Sequence, residues 1–334
     1  MPFRDVVGHA RLIELLSRSA AGGTLPPSLL FVGPSGVGKR LTALAVAQAL
    51  NCPARIDWQL AADACGRCTA CSRIARGVHP DVVVVEPGDS GTIKIDQVRD
   101  VIDRAMYRPF EGRRRVVIVD QADALVAAAQ NALLKTLEEP PSSSVFILVT
   151  SRPDVLLPTV RSRCPELRFR PLSAEEIASA LIARDHTESE ARAVAAAADG
   201  SLGQALQASA GELVEAREVA QRALAVAAAS NDPAGRLDGA KLLLTKSGSG
   251  SERDQLASHL RAMASLLRDV EVLATESDPA ALANADVRPA LERLAKGYGG
   301  ERGVRAFGAV DQALVALDRN AGVKVVADWV MLQL

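Results

Sequence analysis

The sequence predicts an α/β fold built on a parallel sheet, with an all-helical remainder behind it. Three observations carry that expectation. The run Gly33-Pro-Ser-Gly-Val-Gly-Lys39 is a phosphate-binding loop, flanked by the apolar Leu29–Val32 before it and the Ala/Leu-rich Leu41–Leu50 after it. That is the strand-loop-helix order in which such a loop works. Short β-branched runs recur at Val82–Val85, Val116–Val119 and Val145–Val149, the pattern of strands buried on both faces and separated by helices. Beyond Pro171 such runs disappear and Ala/Leu/Val periodicity takes over.

The loop comes first. Gly33, Gly36 and Gly38 allow backbone N–H groups to close around phosphate oxygens, and Lys39 adds a point charge. The next position normally carries a Ser or Thr whose hydroxyl ligates Mg²⁺. Here it is Arg40, which brings a charge but no oxygen, and Thr42 is expected on another face of the helix. The strand Val116–Val119 ends in Asp120, placed as the carboxylate that holds Mg²⁺ through water in phosphate-loop folds. Gln121 follows it, and an amide cannot act as the general base that polarises an attacking water. The loop is suited to hold ATP or ADP without hydrolysis, and an empty loop is the other state left open.

The remaining elements follow in order. A fifth strand is expected at Leu167–Phe169, and Ser173-Ala-Glu-Glu176 reads as a capping box that opens a helix. Residues 1–170 are then the α/β domain and 171–208 a small helical domain. Residues 209–334 form a helical bundle, interrupted by the Ser247-Gly-Ser-Gly-Ser251 loop. Arg113, Arg114 and Arg115 are expected to be solvated surface.

Four of the five cysteines, Cys52, Cys65, Cys68 and Cys71, fall within twenty residues. Such clustering in a reducing compartment favours structural Zn²⁺ closed by four thiolates over disulfides. With 39 Lys+Arg against 40 Asp+Glu, a globally basic nucleic-acid binder is excluded, though not a local basic patch. No signal-like N-terminus and no apolar run of about 18 residues is present, so a cytoplasmic chain without membrane contact is expected.

Asn131-Ala-Leu-Leu-Lys-Thr-Leu-Glu-Glu-Pro-Pro141, the run Val145–Val149, Arg161-Ser-Arg-Cys-Pro165, Val6-Val-Gly-His9 and the four-cysteine insertion together resemble the AAA+ clamp-loader family. The resemblance covers roughly the first 210 residues, and the helical remainder resembles the family's collar in character rather than in motif. It implies an AAA+ domain with a zinc-binding insertion at 52–71, a helical lid at 171–208 and an oligomerising collar at 209–334.

Within that family the pattern of vacancies resembles the delta-prime branch of bacterial DNA polymerase III subunits. The motor subunits, gamma and tau, carry Thr after the loop lysine, Glu after the strand-end Asp, and Arg in a Gly-Ser-Leu motif. This chain has Arg40, Gln121 and Gly203 at those places. Arg163 matches the family's arginine finger, which reaches a neighbouring subunit's ATP and acts there in trans. Thr150 and Ser151 stand where a first sensor would be. The resemblance implies gamma/tau motor subunits and a delta subunit as partners, with the sliding clamp and primer–template DNA reached through the complex. Two other expectations stand beside it: an active ATPase motor subunit of the same loader, and a zinc-dependent DNA-binding module.

Overall fold

A computed structural model describes the chain apart from residues 59–60, 89, 208–209, 231, 246–250, 276–281, 283 and 319–320. Residues 247–250 of the expected Ser/Gly loop lie outside the described residues, as does the expected boundary at 208–209. The described residues divide into two compact units, Met1–Pro171 and Leu172–Leu334.

The first unit runs α1 (Ala10–Gly22), β1 (Ser28–Val32), α2 (Lys39–Asn51), β2 (Ile56–Trp58), β3 (Ala61–Asp63), α3 (Thr69–Ala75), β4 (Val82–Val85) and α4 (Ile95–Ala105). It continues through β5 (Arg115–Val119), α5 (Ala127–Glu138), β6 (Ser144–Thr150), α6 (Pro158–Arg161) and β7 (Glu166–Arg168). Five of the strands form one sheet in the order β4-β5-β6-β1-β7, every neighbouring pair parallel. The fifth strand lies one residue earlier than the expected Leu167–Phe169.

Alternation along the strands explains why they read as unbroken apolar runs. Successive side chains of a strand point to opposite faces. Leu29, Phe31, Val116, Ile118, Val145 and Ile147 accordingly join one core, which α1 and α2 complete with Ile13, Leu16, Val46 and Leu50. Leu30, Val117, Val119, Phe146 and Leu148 join the other, completed by Val98 and Val101 of α4 and Leu133 and Leu137 of α5. A sheet covered on both sides leaves no strand face on which polar residues could alternate.

One expectation fails here. Arg113 is exposed, but Arg115 is buried, because it opens β5 and its Nη2 pairs with the fully buried Asp81 Oδ1 at 2.9 Å. Asp81 also accepts the backbone N–H groups of Phe110, Glu111 and Gly112 at 2.7, 2.9 and 2.8 Å. A buried guanidinium is tolerable only with such a partner.

The second unit is helical: α7 (Ala174–Ile182), α8 (Glu188–Ala197), α9 (Leu202–Gln207), α10 (Ala210–Ala229), α11 (Pro233–Leu243), α12 (Glu252–Ala274), α13 (Arg288–Tyr298), α14 (Glu301–Asp318) and α15 (Val323–Gln333). Ser173 caps α7 as expected: its hydroxyl accepts the Glu176 N–H at 3.1 Å, and the Glu176 carboxylate accepts the Ser173 N–H at 2.8 Å. α12 runs through the main core, where Leu256, Leu260, Met263 and Leu267 meet Leu224, Tyr298, Val310 and Val330. Among the described residues no helix is long and apolar enough to cross a membrane.

Candidate functional site

The phosphate loop leaves β1 at Gly33 and enters α2 at Lys39. Gly33, Gly36 and Gly38 have φ of 152°, 76° and 102°, all in the region that side chains disfavour. At Gly33 a Cβ would also lie 2.3 Å from the Phe169 carbonyl oxygen, so that position is packed for glycine and for nothing larger. Gly38 supplies the left-handed turn that starts α2. Lys39 Nζ donates to the Gly33 and Pro34 carbonyls at 2.6 and 2.5 Å, folding the loop onto its own lysine. Burial pulls the Lys39 ammonium down to about 8, while Asp120 and Asp123 push it back up.

Arg40 lies at the mouth of this loop. Its Nη1 donates to Asp120 Oδ2 at 3.1 Å and pairs with Glu86 Oε1. The guanidinium therefore reaches from the start of α2 to the residues just past β5 and β4. The Thr42 hydroxyl is buried and donates to the Gly38 carbonyl at 2.9 Å, so it faces back along α2 as its spacing predicts. Gln121 is exposed at φ 52°, and its N–H donates to Asp120 Oδ1 at 3.0 Å.

Sequence reasoning missed a second group beside the loop. Asp123 accepts the Thr150 hydroxyl at 2.7 Å and both Nε and Nη2 of Arg152 at 3.0 and 2.8 Å. The hydroxyl expected to sense a phosphate is thus held by a carboxylate, whereas Ser151 is exposed. Arg163 follows α6, where its Nη2 pairs with Glu138 Oε1 at 2.5 Å and its Nη1 donates to the Thr159 carbonyl at 2.8 Å. Arg161 is held instead by Glu166 and Asp154, at 2.9 and 3.3 Å. The two guanidinium side chains are comparably exposed, 28% for Arg163 and 33% for Arg161, so they differ in partners rather than in access. Gly203 lies in α9 of the second unit.

The four cysteines converge as their spacing predicts. Cys52 caps the C-terminal end of α2, Cys68 caps α3, and Cys71 sits in its first turn. Their four sulfur atoms all lie within 4.8 Å of one another, with Cys52 and Cys68 Sγ 3.9 Å apart. A tetrahedral tetrathiolate site with metal–sulfur bonds of about 2.3 Å has sulfur–sulfur edges of about 3.8 Å, so the cluster fits a metal ion. Backbone N–H groups of Cys65, Cys68 and Cys71 approach the Cys52, Cys65 and Cys68 sulfur atoms at 3.4, 3.3 and 3.5 Å. Burial raises the Cys65 thiol, but N–H groups of Arg67 and Cys68 overcome it and bring the group to about 6. Burial and the Cys68 thiol push Cys71 up. Cys164, the fifth cysteine, is buried apart in the second core.

The insertion between Cys52 and Cys65 is a short antiparallel hairpin of β2 and β3. It ends in Asp63, a residue that sequence reasoning overlooked. Asp63 is fully buried and accepts the backbone N–H groups of Phe3, Arg4 and Ala64 together with Arg4 Nη1. Arg4 goes on to bond the Ala64 and Cys65 carbonyls at 2.8 and 3.0 Å, which fastens the N-terminus across the thiol cluster.

Comparison with known proteins agrees with this arrangement. Residues 8–173 match the family described as DNA polymerase III, delta subunit. The chain is 36% identical over 210 residues to DNA polymerase III subunit tau of Escherichia coli, a match covering 61% of this chain and 32% of that protein. It is 38% identical over 182 residues to the gamma/tau subunit of Mycobacterium tuberculosis, covering 54% of this chain and 31% of that one. It is 43% identical over 136 residues to the delta' subunit of Pseudomonas aeruginosa, covering 40% of each. The chain thus spans about a third of the tau-type relatives and two fifths of the delta' relative. It is an AAA+-fold protein of the clamp-loader family, related to the tau, gamma and delta' subunits of DNA polymerase III.

Proposed function

We propose that the chain is a non-hydrolysing, delta-prime-type subunit of a DNA polymerase III clamp loader. It completes the loader pentamer beside gamma/tau motor subunits and a delta subunit. Through that complex it serves the sliding clamp and primer–template DNA during replication. The single observation that carries this reading is the pairing of Arg40 with Asp120 and Glu86. Hydrolysis in a phosphate-loop enzyme runs through a metal held by a loop hydroxyl and a strand-end carboxylate. Here the hydroxyl is replaced and the carboxylate is committed to the replacement. Gln121 removes the base that would polarise water, and Gly203 removes a cation from the second unit.

Arg163 then acts for a neighbour. Its ion pair with the half-exposed Glu138 is one that solvent screens and that a phosphate could outcompete. A guanidinium delivered to a neighbouring ATP stabilises charge on the transferred phosphoryl group. The thiol cluster is assigned to structural Zn²⁺, since four sulfur ligands leave no open coordination position for chemistry. The lid at 171–208 and the collar at 209–334 keep the roles that the family resemblance implies.

A second reading, an active gamma/tau-like ATPase motor, draws on the breadth of similarity. The tau and gamma/tau matches extend over 210 and 182 residues, against 136 for the delta' relative. Turnover decides between them. The purified chain with Mg²⁺ and ATP is expected to show none above background, and steady hydrolysis would establish the motor reading. In a reconstituted loader Arg163→Ala should lower ATP turnover at the neighbouring site about 10³-fold, and total turnover by that site's share, with assembly intact by size-exclusion chromatography, while Arg161→Ala leaves it unchanged. Equal turnover in the Arg163→Ala loader rejects the role in trans.

A further inference from the structure

Three chain segments meet at the C-terminal ends of β1, β5 and β4, where an open α/β sheet places its ligands. The first brings Lys39 and Arg40, the second Asp120 and the third Glu86. In a phosphate-loop site the cation between strand-end carboxylate and phosphate is a divalent metal, and its ligands are oxygens. Neither threonine nearby stands where the metal-ligating hydroxyl of such a loop would: Thr42 faces back along α2 to the Gly38 carbonyl, and Thr150 is turned to Asp123. Asp120 Oδ2 takes Arg40 Nη1, and its Oδ1 takes the Gln121 N–H. The residues present therefore do not fit Mg²⁺. They fit a guanidinium, which bridges the two carboxylates and offsets one of their two charges.

The same guanidinium is placed to face an anion. The side chains of Arg40 and Glu86 are 50% and 48% exposed, while that of Asp120 is 12% exposed, so the Arg40 side chain is open to solvent. Both carboxylate contacts use Nη1, and among the described residues Nη2 and Nε keep their hydrogens for phosphate oxygens. The loop itself keeps its three positive-φ glycines and its lysine, whose Nζ rests on the Gly33 and Pro34 carbonyls and would turn to an entering anion.

We propose that Arg40 is a built-in replacement for the metal, and that this loop takes a nucleoside di- or triphosphate as the metal-free anion. Mg²⁺ entering the site would have to part Arg40 from Asp120 and stand beside the displaced guanidinium. Magnesium therefore competes with binding at this loop rather than assisting it. This goes beyond the role proposed above, which runs through Arg163 in a neighbour's site and holds whether or not this loop is filled.

The test is calorimetric titration of the full chain with ADP and with ATP, once in EDTA and once in excess MgCl₂. For the unmodified chain the affinity for both nucleotides should be higher in EDTA than in MgCl₂. Arg40→Thr restores the hydroxyl and frees Asp120. It should lose about tenfold in EDTA and recover with MgCl₂, and nucleotide-dependent Mn²⁺ binding should appear in its electron paramagnetic resonance spectrum. Arg40→Leu, which brings neither charge nor metal ligand, should bind weakly in both buffers with unchanged circular dichroism. The proposal is overturned by an unmodified chain that binds as tightly or more tightly in MgCl₂, by one that binds neither nucleotide in either buffer, or by an Arg40→Thr chain whose binding Mg²⁺ does not strengthen. ATP turnover followed in the same samples reports separately on the non-hydrolysing reading.

Discussion

Asp63→Ala is expected to destabilise the first unit by about 4 kcal/mol and to loosen its thiol cluster. The carboxylate is fully buried, and alanine removes the acceptor of Phe3 N–H at 3.0 Å, Arg4 N–H at 3.2 Å, Ala64 N–H at 2.7 Å and Arg4 Nη1 at 3.1 Å. Phe3 and Ala64 are themselves fully buried, so water does not replace the lost oxygen at their N–H groups. Each buried donor left without a partner costs about 1–3 kcal/mol, and two of them set the magnitude. The Arg4 side chain is 31% exposed and can be partly hydrated, so its lost ion pair adds little. Urea denaturation reads the stability, and a chelating dye reads the rate at which metal leaves. Asp63→Asn keeps one acceptor oxygen and should fall between the two. A loss below about 1 kcal/mol in Asp63→Ala, with unchanged metal release, would refute the view that this carboxylate fastens the N-terminus to the cluster.

Metal analysis of protein purified without added zinc should give about one Zn²⁺ per chain, and Cys71→Ser should lower it sharply; a stoichiometry near zero removes the zinc assignment. A pH dependence follows from Asp81. Burial would raise its pKa, but the N–H groups of Phe110, Glu111 and Gly112 and the Arg115 guanidinium outweigh burial and hold it at about 2, against the ordinary 3.8. The folded value is depressed, so the unfolded chain takes up the proton first as the solution is acidified. The group's contribution of roughly 2 kcal/mol is complete above about pH 4 and fades as pH falls toward 2. Denaturation midpoints through that window should fall less steeply for Asp81→Asn than for the unmodified chain, and parallel curves would show that Asp81 does not carry the effect.

Local patterns were legible and distant partnerships were not. The loop glycines, the β-branched runs and the four cysteines each announce themselves within a few residues, because backbone conformation, strand burial and metal ligation impose their own short spacings. The defect at Arg40 could be read in the same way, but its partners could not. Glu86 and Asp120 stand 46 and 80 positions further along the chain, and only the sheet order brings their strand ends to one place. Asp63 and Asp81 are hidden for the same reason, since their donors come from the N-terminus and from the turn before β5. Arg115 was misjudged because a run of three arginines looks like surface, whereas a strand start turned inward toward a buried carboxylate leaves no local mark. The β2–β3 hairpin escaped because Ile56-Asp-Trp58 and Ala61-Ala-Asp63 lack the run length of a strand signal.

The order of the sheet also bears on how the chain comes to be folded. Strand β1 carries the phosphate loop, yet it pairs on one side with β6, Ser28 against Phe146, and on the other with β7, Leu30 against Glu166. Its ladders close only after nearly the whole unit has been synthesised. The thiol cluster draws on one contiguous stretch, from the end of α2 to the first turn of α3. Loop-closure entropy grows with the length of chain to be closed, so a metal can gather the four thiols while β1 still lacks both neighbours. A metal held there would fix the far end of α2 before the sheet exists to receive its near end, and metal supply during synthesis would then become a matter of folding yield.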